Sequence, residues 1–376
     1  MVENVLEGYK KTEVGVIPEE WKVRKLKQIT NMKSGVSITA KDIDESGEYP
    51  CYGGNGLRGY TSRFTHNGRY ALIGRQGALC GNVQYVEGTF FASEHAVVVT
   101  PNPEIDIEWL SYMLIDMNLN QYSESSAQPG LSVTKILELS IPVPSKRAEQ
   151  TAISTALSDI DELINSLTKL IDKKKNIRQG VMQELLRGRK RLNGFSGEWE
   201  TKIVEEIAVV SRGRVISHKE ISNSLLKKYP VYSSQTTSNG IMGYIDSYDF
   251  DGEYITWTTD GVNAGTVFYR KGKFNCTNVC GTIKLLHGNH YFVAKRLELE
   301  TGKFVSKNLA NPKLMNDVMK KITITIPPTI KEQTAIAQIL TDMDNEINKL
   351  TQKLDKYKTL KQAMMQELLT GKRRLI

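Results

Sequence analysis

Residues 149–192 read EQTAISTALSDIDELINSLTKLIDKKKNIRQGVMQELLRGRKRL, and residues 332–375 read EQTAIAQILTDMDNEINKLTQKLDKYKTLKQAMMQELLTGKRRL. The two stretches align without a gap at an offset of 183, with 24 identities in 44 positions. In the first, Ile153, Leu157, Ile160, Ile164, Leu167 and Ile171 are spaced 4-3-4-3-4. In the second, Ile336, Leu340, Met343, Ile347, Leu350, Leu354 and Tyr357 repeat that spacing. Such a narrow apolar stripe is a coiled-coil seam rather than the broad face of a globular helix. Thr329 and Glu332 are placed for a capping box, and acids early with bases late follow the helix dipole. Each copy ends in a glycine and a basic run, 187–191 and 372–374. Those runs suit DNA phosphates and helix C-termini equally well.

Two matching seams in one chain are expected to pack on each other. The segments between them also repeat. Trp21, Tyr49-Pro50, Gly59-Tyr60 and the series Tyr70, Gly77, Gly81, Val83, Tyr85, Gly88, Phe90 are answered by Trp199, Tyr229-Pro230, Gly243-Tyr244 and Tyr254, Gly261, Gly265, Val267, Tyr269, Gly272, Phe274. These segments hold 26 of the 29 glycines and 15 of the 16 tyrosines, so they differ in kind from the helices. Short β-branched and aromatic runs (71–73, 83–86, 96–100, 322–326) alternate with Gly/Asn/Asp/Ser turns, which reads as strand-rich with many loops. Residues 109–117 read as a short internal helix.

The expected fold class is α+β. Two strand-rich globules, 1–148 and 193–331, are separated and joined by two long antiparallel coiled-coil helices, 149–192 and 332–376, with a pseudo-two-fold internal repeat. The repeat is cyclic, which places Ile376 near the start of the chain. Two related globules with divergent loops form a bidentate device able to read two half-sites of a duplex.

The chain has 376 residues, 40% of them apolar, and a net charge of +8. That supports real cores and permits nucleic-acid partners. No apolar run reaches a membrane span, the first residues carry charges where a signal peptide needs an apolar stretch, and four cysteines are too few for a secreted disulfide scaffold. The chain reads as cytoplasmic, with no membrane partner.

A globule ending in Ile-Pro-Val-Pro (141–144), then a helix opening with Glu-Gln-x-x-Ile and closing with Gln-Glu-Leu-Leu-x-Gly, then all of it again, resembles the specificity subunit of type I restriction–modification enzymes. The second globule departs slightly, ending in Ile326-Pro327-Pro328. The resemblance implies two target recognition domains reading a two-part, asymmetric site in double-stranded DNA across an unspecified spacer. It implies helices that serve as spacer and as docking surface for two methyltransferase subunits, with motor-nuclease subunits as further partners. S-adenosylmethionine, and ATP with Mg for restriction, would belong to those partners; no cofactor and no catalytic residue is expected in this chain.

The enzyme motifs fit this. Pro327-Pro328 lacks the preceding Asn/Asp and following aromatic of an adenine methyltransferase. Gly54-Asn55-Gly56-Leu57-Arg58-Gly59 spells G-x-G-x-x-G, but no helical periodicity follows it. Cys276, Cys280, His287 and His290 miss zinc-finger spacing. If 274–280 is one strand, the two Cβ atoms also lie ~13 Å apart, too far for one metal, so small buried residues are the expected role.

Base reading needs Arg, Lys, Asn, Gln, Ser or Thr on loops that can enter a groove. The candidates in the first globule are Asn55, Arg58, Arg63, Arg75, Gln76 and Gln128. In the second they are Ser233, Gln235, Thr236, Asn239, Thr258, Asn263, Lys307, Asn308 and Lys313. Trp257 reads as packing rather than base stacking. The competing reading is a coiled-coil scaffold whose globules bind proteins; it calls for exposed aliphatic anchors on the loops, where the sequence offers mainly Gly, Ser, Asn, Gln and Arg.

Overall fold

The structure is a computed structural model and describes residues 7–77, 79–124, 129–306 and 310–375. It divides into two compact units, Met1–Lys169 with Gln352–Ile376, and Leu170–Thr351. Each unit therefore contains one globule and half of each long helix.

In the first unit, six strands form the main sheet: β1 (Thr30–Ser34), β2 (Tyr49–Gly53), β3 (Gly56–Thr61), β4 (His66–Gly74), β5 (Val83–Ala92) and β6 (Ala96–Pro101). Their order is β1-β6-β4-β5-β2-β3, with every pair antiparallel except β2 and β5. Helix α1 (Ile107–Asp116) packs on this sheet and buries Trp109, Leu110 and Leu114 completely. Full burial of such side chains stabilises by about 1.5–3 kcal/mol each. A short antiparallel pair, Lys22–Lys25 with Ser140–Val143, ties the two ends of the globule together.

The β4–β5 ribbon is bent. Phe90 faces His66 at the start of β4, while Ala96 faces Gly74 at its end. A straight β4 would hold those points about 26 Å apart, and the chain from 90 to 96 reaches only about 21 Å. The ribbon carries a facing pair of glycines, Gly68 and Gly88, with φ of +133° and +100°, a backbone that favours glycine.

The second unit repeats this topology with β7 (Ala208–Arg212), β8 (Tyr229–Tyr232), β9 (Ile241–Ile245), β10 (Phe250–Thr258), β11 (Val267–Cys276) and β12 (Cys280–Leu285), in the order β7-β12-β10-β11-β8-β9. Gly252 faces Gly272 where the first unit has Gly68 and Gly88. Helix α3 (His290–Glu298) takes the place of α1, and Glu200–Ile203 pairs with Thr323–Ile326.

The long helices are α2 (Arg147–Leu186) and α4 (Ile330–Leu368). Their pairing is antiparallel within each unit. In the first, Lys361 Nζ meets Asp161 at 2.7 Å and Arg374, after α4, meets Glu149 near the start of α2. In the second, Arg178 pairs with Asp344, Lys174 with Glu346, and Arg191 with Glu332. Among the seam residues Ile153, Leu157, Ile160, Ile171, Ile336, Leu340, Ile347 and Leu354 are buried. The seam is half-buried at Ile164, Leu167, Met343 and Leu350.

The Glu-Gln pair at each helix start has a distinct job per residue. Gln150 accepts from the Asp106 N–H at 2.8 Å and donates to the Pro144 carbonyl. Gln333 does the same with Asn289 N–H and the Pro327 carbonyl. Asp106 and Asn289 are themselves the N-caps of α1 and α3, so each Gln locks the internal helix of its globule to a long helix. Glu149 and Glu332 are buried and receive Arg374 and Arg191. The basic runs thus use one arginine each for an ion pair inside the fold. Thr329 does accept the Glu332 N–H at 3.3 Å, but the reciprocal half of the capping box is replaced by Arg191. Ile376 lies outside the described residues; Gly371 is close to the start of the chain, where Tyr9 donates its hydroxyl to the Gly371 carbonyl at 3.1 Å.

Candidate nucleic-acid interface

Three connections meet at one end of each sheet. In the first unit they are β2–β3 (54–55), β4–β5 (75–82) and β5–β6 (93–95). Two glycines allow the meeting: a Cβ on Gly74 would fall 2.2 Å from the Gly54 carbonyl oxygen, and one on Gly54 would fall 3.0 Å from that of Gln76. The Arg75 N–H then donates to the His95 carbonyl at 2.9 Å. Asn55, Arg58, Arg75 and Gln76 are exposed on these and the adjoining residues. Arg75 and Gln76, with Ser34, Ser132 and Thr134, line an open cleft of about 530 Å³. Arg75 touches the Ser34 hydroxyl at 3.1 Å, and among the described residues no carboxylate is in ion-pair range of it. Arg63 sits elsewhere, 3.8 Å from Asp42 and over the Phe91 ring. Gln128 lies outside the described residues. The G-x-G-x-x-G at 54–59 is the β2–β3 turn running into β3, with no helix after it.

The second unit builds the same end with other residues. Gly77 N–H to Pro129 O and Leu131 N–H to Arg75 O are matched by Gly261 N–H to Pro312 O and Leu314 N–H to Thr259 O. Where the first unit has Arg75-Gln76, the second has Thr259-Asp260. Asp260 holds Lys313 Nζ at 3.3 Å, so that cation is paired. Thr258 is buried and donates to the Asn263 carbonyl; it shapes the β10–β11 connection and faces no groove. Asn263 is half-buried. Lys307 and Asn308 lie outside the described residues.

The β8–β9 connection is eight residues long, 233–240, against two in the first unit. Ser233 and Gln235 are half-buried and brace it: Ser233 Oγ accepts from Thr277, and Gln235 Nε2 donates to the Ile241 carbonyl. Thr236 and Asn239 are exposed at its tip, together with Thr237 and Ser238, which the sequence did not single out.

Three further positions bear on the sequence reading. Trp257 is fully buried and donates to the Leu314 carbonyl at 2.9 Å, a packing role. Cys276 and Cys280 are not on one strand: β11 ends at Cys276, a turn follows, and β12 starts at Cys280. Their sulfurs are 3.5 Å apart rather than ~13 Å. Burial pushes the Cys276 thiol well above its ordinary value. His290 accepts the Leu285 N–H at 3.2 Å, and among the described residues no three His, Cys, Asp or Glu side chains converge as a metal site. The expected lack of exposed aliphatic anchors fails in both units: Val36 and Leu79 are about half exposed on loops of the first, and the second goes further. Leu225 and Leu226 are 91% and 78% exposed on a loop whose N–H groups at 225, 226 and 227 all donate to the Asp246 carboxylate, and Val262 is also 91% exposed.

The sequence pattern of the type I restriction modification DNA specificity domain matches residues 18–177 and again 196–358. The chain belongs to the type I restriction–modification specificity family. Members of this family are in general non-catalytic, and membership implies DNA target recognition. The chain is 50% identical over 155 residues to the specificity subunit of the Escherichia coli type I restriction enzyme EcoprrI, a stretch covering 40% of this chain and 38% of that one. It is 37% identical over 227 residues to a putative type I specificity subunit of Mycoplasma pneumoniae, covering 60% of this chain and 82% of the relative. The fold is similar to the crystal structure of a type I S subunit from M. genitalium, with a TM-score of 0.72 at 17% identity over 93% of this chain and 96% of that one. Among the described residues of this specificity-family chain, no helix is long and apolar enough to cross a membrane.

Proposed function

We propose that this chain is the DNA-reading subunit of a cytoplasmic type I restriction–modification assembly. The two units read the two halves of an asymmetric, two-part site in double-stranded DNA. The paired helices set the unspecified spacer and dock two methyltransferase subunits, which bind S-adenosylmethionine and methylate adenine at N6. Motor-nuclease subunits using ATP and Mg join them for restriction. Asn55, Arg58, Arg75 and Gln76 serve the first half-site; Thr236, Asn239 and Lys313 serve the second. Arg63, Gln128, Asn263, Lys307 and Asn308 remain as flanking contacts.

One observation carries this reading: the same three-connection end recurs on two sheets of one topology, with its backbone hydrogen bonds kept and its side chains replaced. A scaffold holds partners without needing such a pattern; a two-part reader of an asymmetric site needs it. Exposed Leu163 and Ile177 on α2 and Leu360 on α4 supply apolar surface for helix-docked partners.

The test is to express the chain with its neighbouring methyltransferase in a host without adenine methylation and to sequence the methylome. A two-part motif methylated on both strands across a fixed gap is the expected result, and exchanging residues 193–331 changes one half only. Leu225 and Leu226 favour a protein-binding second unit as the competing reading. A soluble complex with the methyltransferase and no methylated motif would favour that scaffold.

A further inference from the structure

The β8–β9 loop carries three consecutive residues in the left-handed region, Ser238, Asn239 and Gly240, with φ of +49°, +55° and +81°. Asparagine and glycine tolerate that conformation, but Ser238 holds it only when its surroundings impose it. The loop is closed at its base by the Ser233 N–H donating to the Gly240 carbonyl at 3.0 Å.

Beneath it lies Arg270 on β11, only 3% exposed. Its guanidinium lies against two rings, 3.6 Å from the Tyr232 centroid and 4.3 Å from that of Phe268. Its Nε donates to Thr256 Oγ1 at 3.2 Å. Among the described residues no carboxylate pairs with it. A buried cation without a counter-charge is costly, so packing alone would favour an apolar residue here. The guanidinium ends at the loop: a Cβ on Gly240 would fall 3.0 Å from Arg270 Nη2 and 3.2 Å from the Gln235 carbonyl oxygen.

The first unit supplies the contrast. Arg270 faces Tyr254 in the strand register, and the residue facing Tyr70 is Val86. That unit has a two-residue turn in place of the loop. The arginine and the long loop occur together.

We propose that Arg270 is a specificity-determining positioning residue of the second unit, holding Thr236 to Asn239 in the conformation that presents them to the base edges of one DNA half-site. The guanidinium occupies the underside of the Gly240 turn and leaves the tip side chains facing outward. The two ring contacts, the Thr256 hydrogen bond and burial restrain it, so it acts as a brace and not as a mobile cation. This rests on the DNA-reading function proposed above.

The experiment uses the full chain, co-expressed with its methyltransferase, and compares methylation of each motif with that of all its single-base variants across the genome. Arg270→Met is expected to cut discrimination at the second half-site by tenfold or more and to leave the first unchanged. Arg270→Lys, which keeps the charge and loses the planar fork, is expected to fall between. Gly240→Ala, which strains the turn directly, is expected to show the loss that follows when the loop itself is disturbed, and Arg270→Lys carries the test if Arg270→Met does not fold. Second-half discrimination within twofold of the parent chain overturns the proposal, as does an equal loss at both halves, which marks a merely structural role. If the unaltered chain itself yields no motif, the DNA-reading function fails first.

Discussion

Arg191 forks onto Glu332, with Nε on Oε1 at 2.7 Å and Nη2 on Oε2 at 2.8 Å, and the glutamate is 1% exposed. Arg374 and Glu149 form the same pair in the first unit. The carboxylate is the buried partner, so the two deletions are not equivalent. Arg191→Ala orphans a buried charge and should cost about 3 kcal/mol. Glu332→Gln leaves an arginine that water can reach and should cost about 1–2 kcal/mol. Urea unfolding of both variants checks the order as well as the size.

Gly74→Ala should disable the first unit alone. Its Cβ would stand 2.2 Å from the Gly54 carbonyl oxygen, which is backbone and cannot swing away. Separating the two connections moves Asn55 from Arg75. Methylome sequencing is expected to show the first half of the motif degraded and the second intact, with a stability loss of about 1–3 kcal/mol.

Arg75 and Lys313 occupy matching connections but differ in pairing. Among the described residues Arg75 bonds the Ser34 hydroxyl and no carboxylate, whereas Asp260 neutralises Lys313. Arg75→Ala should weaken binding to a motif-containing duplex by about 1–3 kcal/mol. Lys313→Ala should change it by less than about half of that. Fluorescence anisotropy against salt measures both; a larger effect at Lys313 would sink the comparison.

Tyr291 donates its hydroxyl to Asp344 at 2.7 Å. Burial, then the carboxylate, push its phenol up to about 12. In the unfolded chain the value is about 10. The folded value is the higher one, so the resulting stability is complete below pH ~10 and is lost as pH rises through about 12. The advantage of the parent chain over Tyr291→Phe should shrink by about 2 kcal/mol between pH 9 and 12, measured by urea midpoints.

The helices were legible because their seam is local: a 4-3 spacing needs no knowledge of the partner. The strand-rich character of the globules was legible in their Gly, Tyr and β-branched content. What escaped is non-local. Nothing near Arg191 in sequence announces Glu332, 141 residues away. The break between Cys276 and Cys280 is a turn that lets the chain cross from one partner of β10 to the other, a pairing that local residue types do not announce. The Leu225–Leu226 loop stands out from the surface because Asp246 collects three of its N–H groups, a geometry without a sequence signature. At the candidate interface, residue type pointed alike to Arg75 and Gln76, which are exposed, and to Thr258, which has the same chemistry as a base reader and spends it internally.

The first globule's core contains Met365, Leu368 and Leu369, and Gly371 lies against Trp21 and Pro18. Those residues leave the ribosome long after the sheet they cover. At about 5–20 residues per second, the 182 residues between Lys169 and Gln352 take about 10 to 40 s to make. Throughout that interval the nascent first globule keeps an open apolar seat for a helix not yet synthesised. Chaperone occupancy on the growing chain should therefore peak before the last helix emerges, and a ribosome that stops early releases a product with neither unit closed.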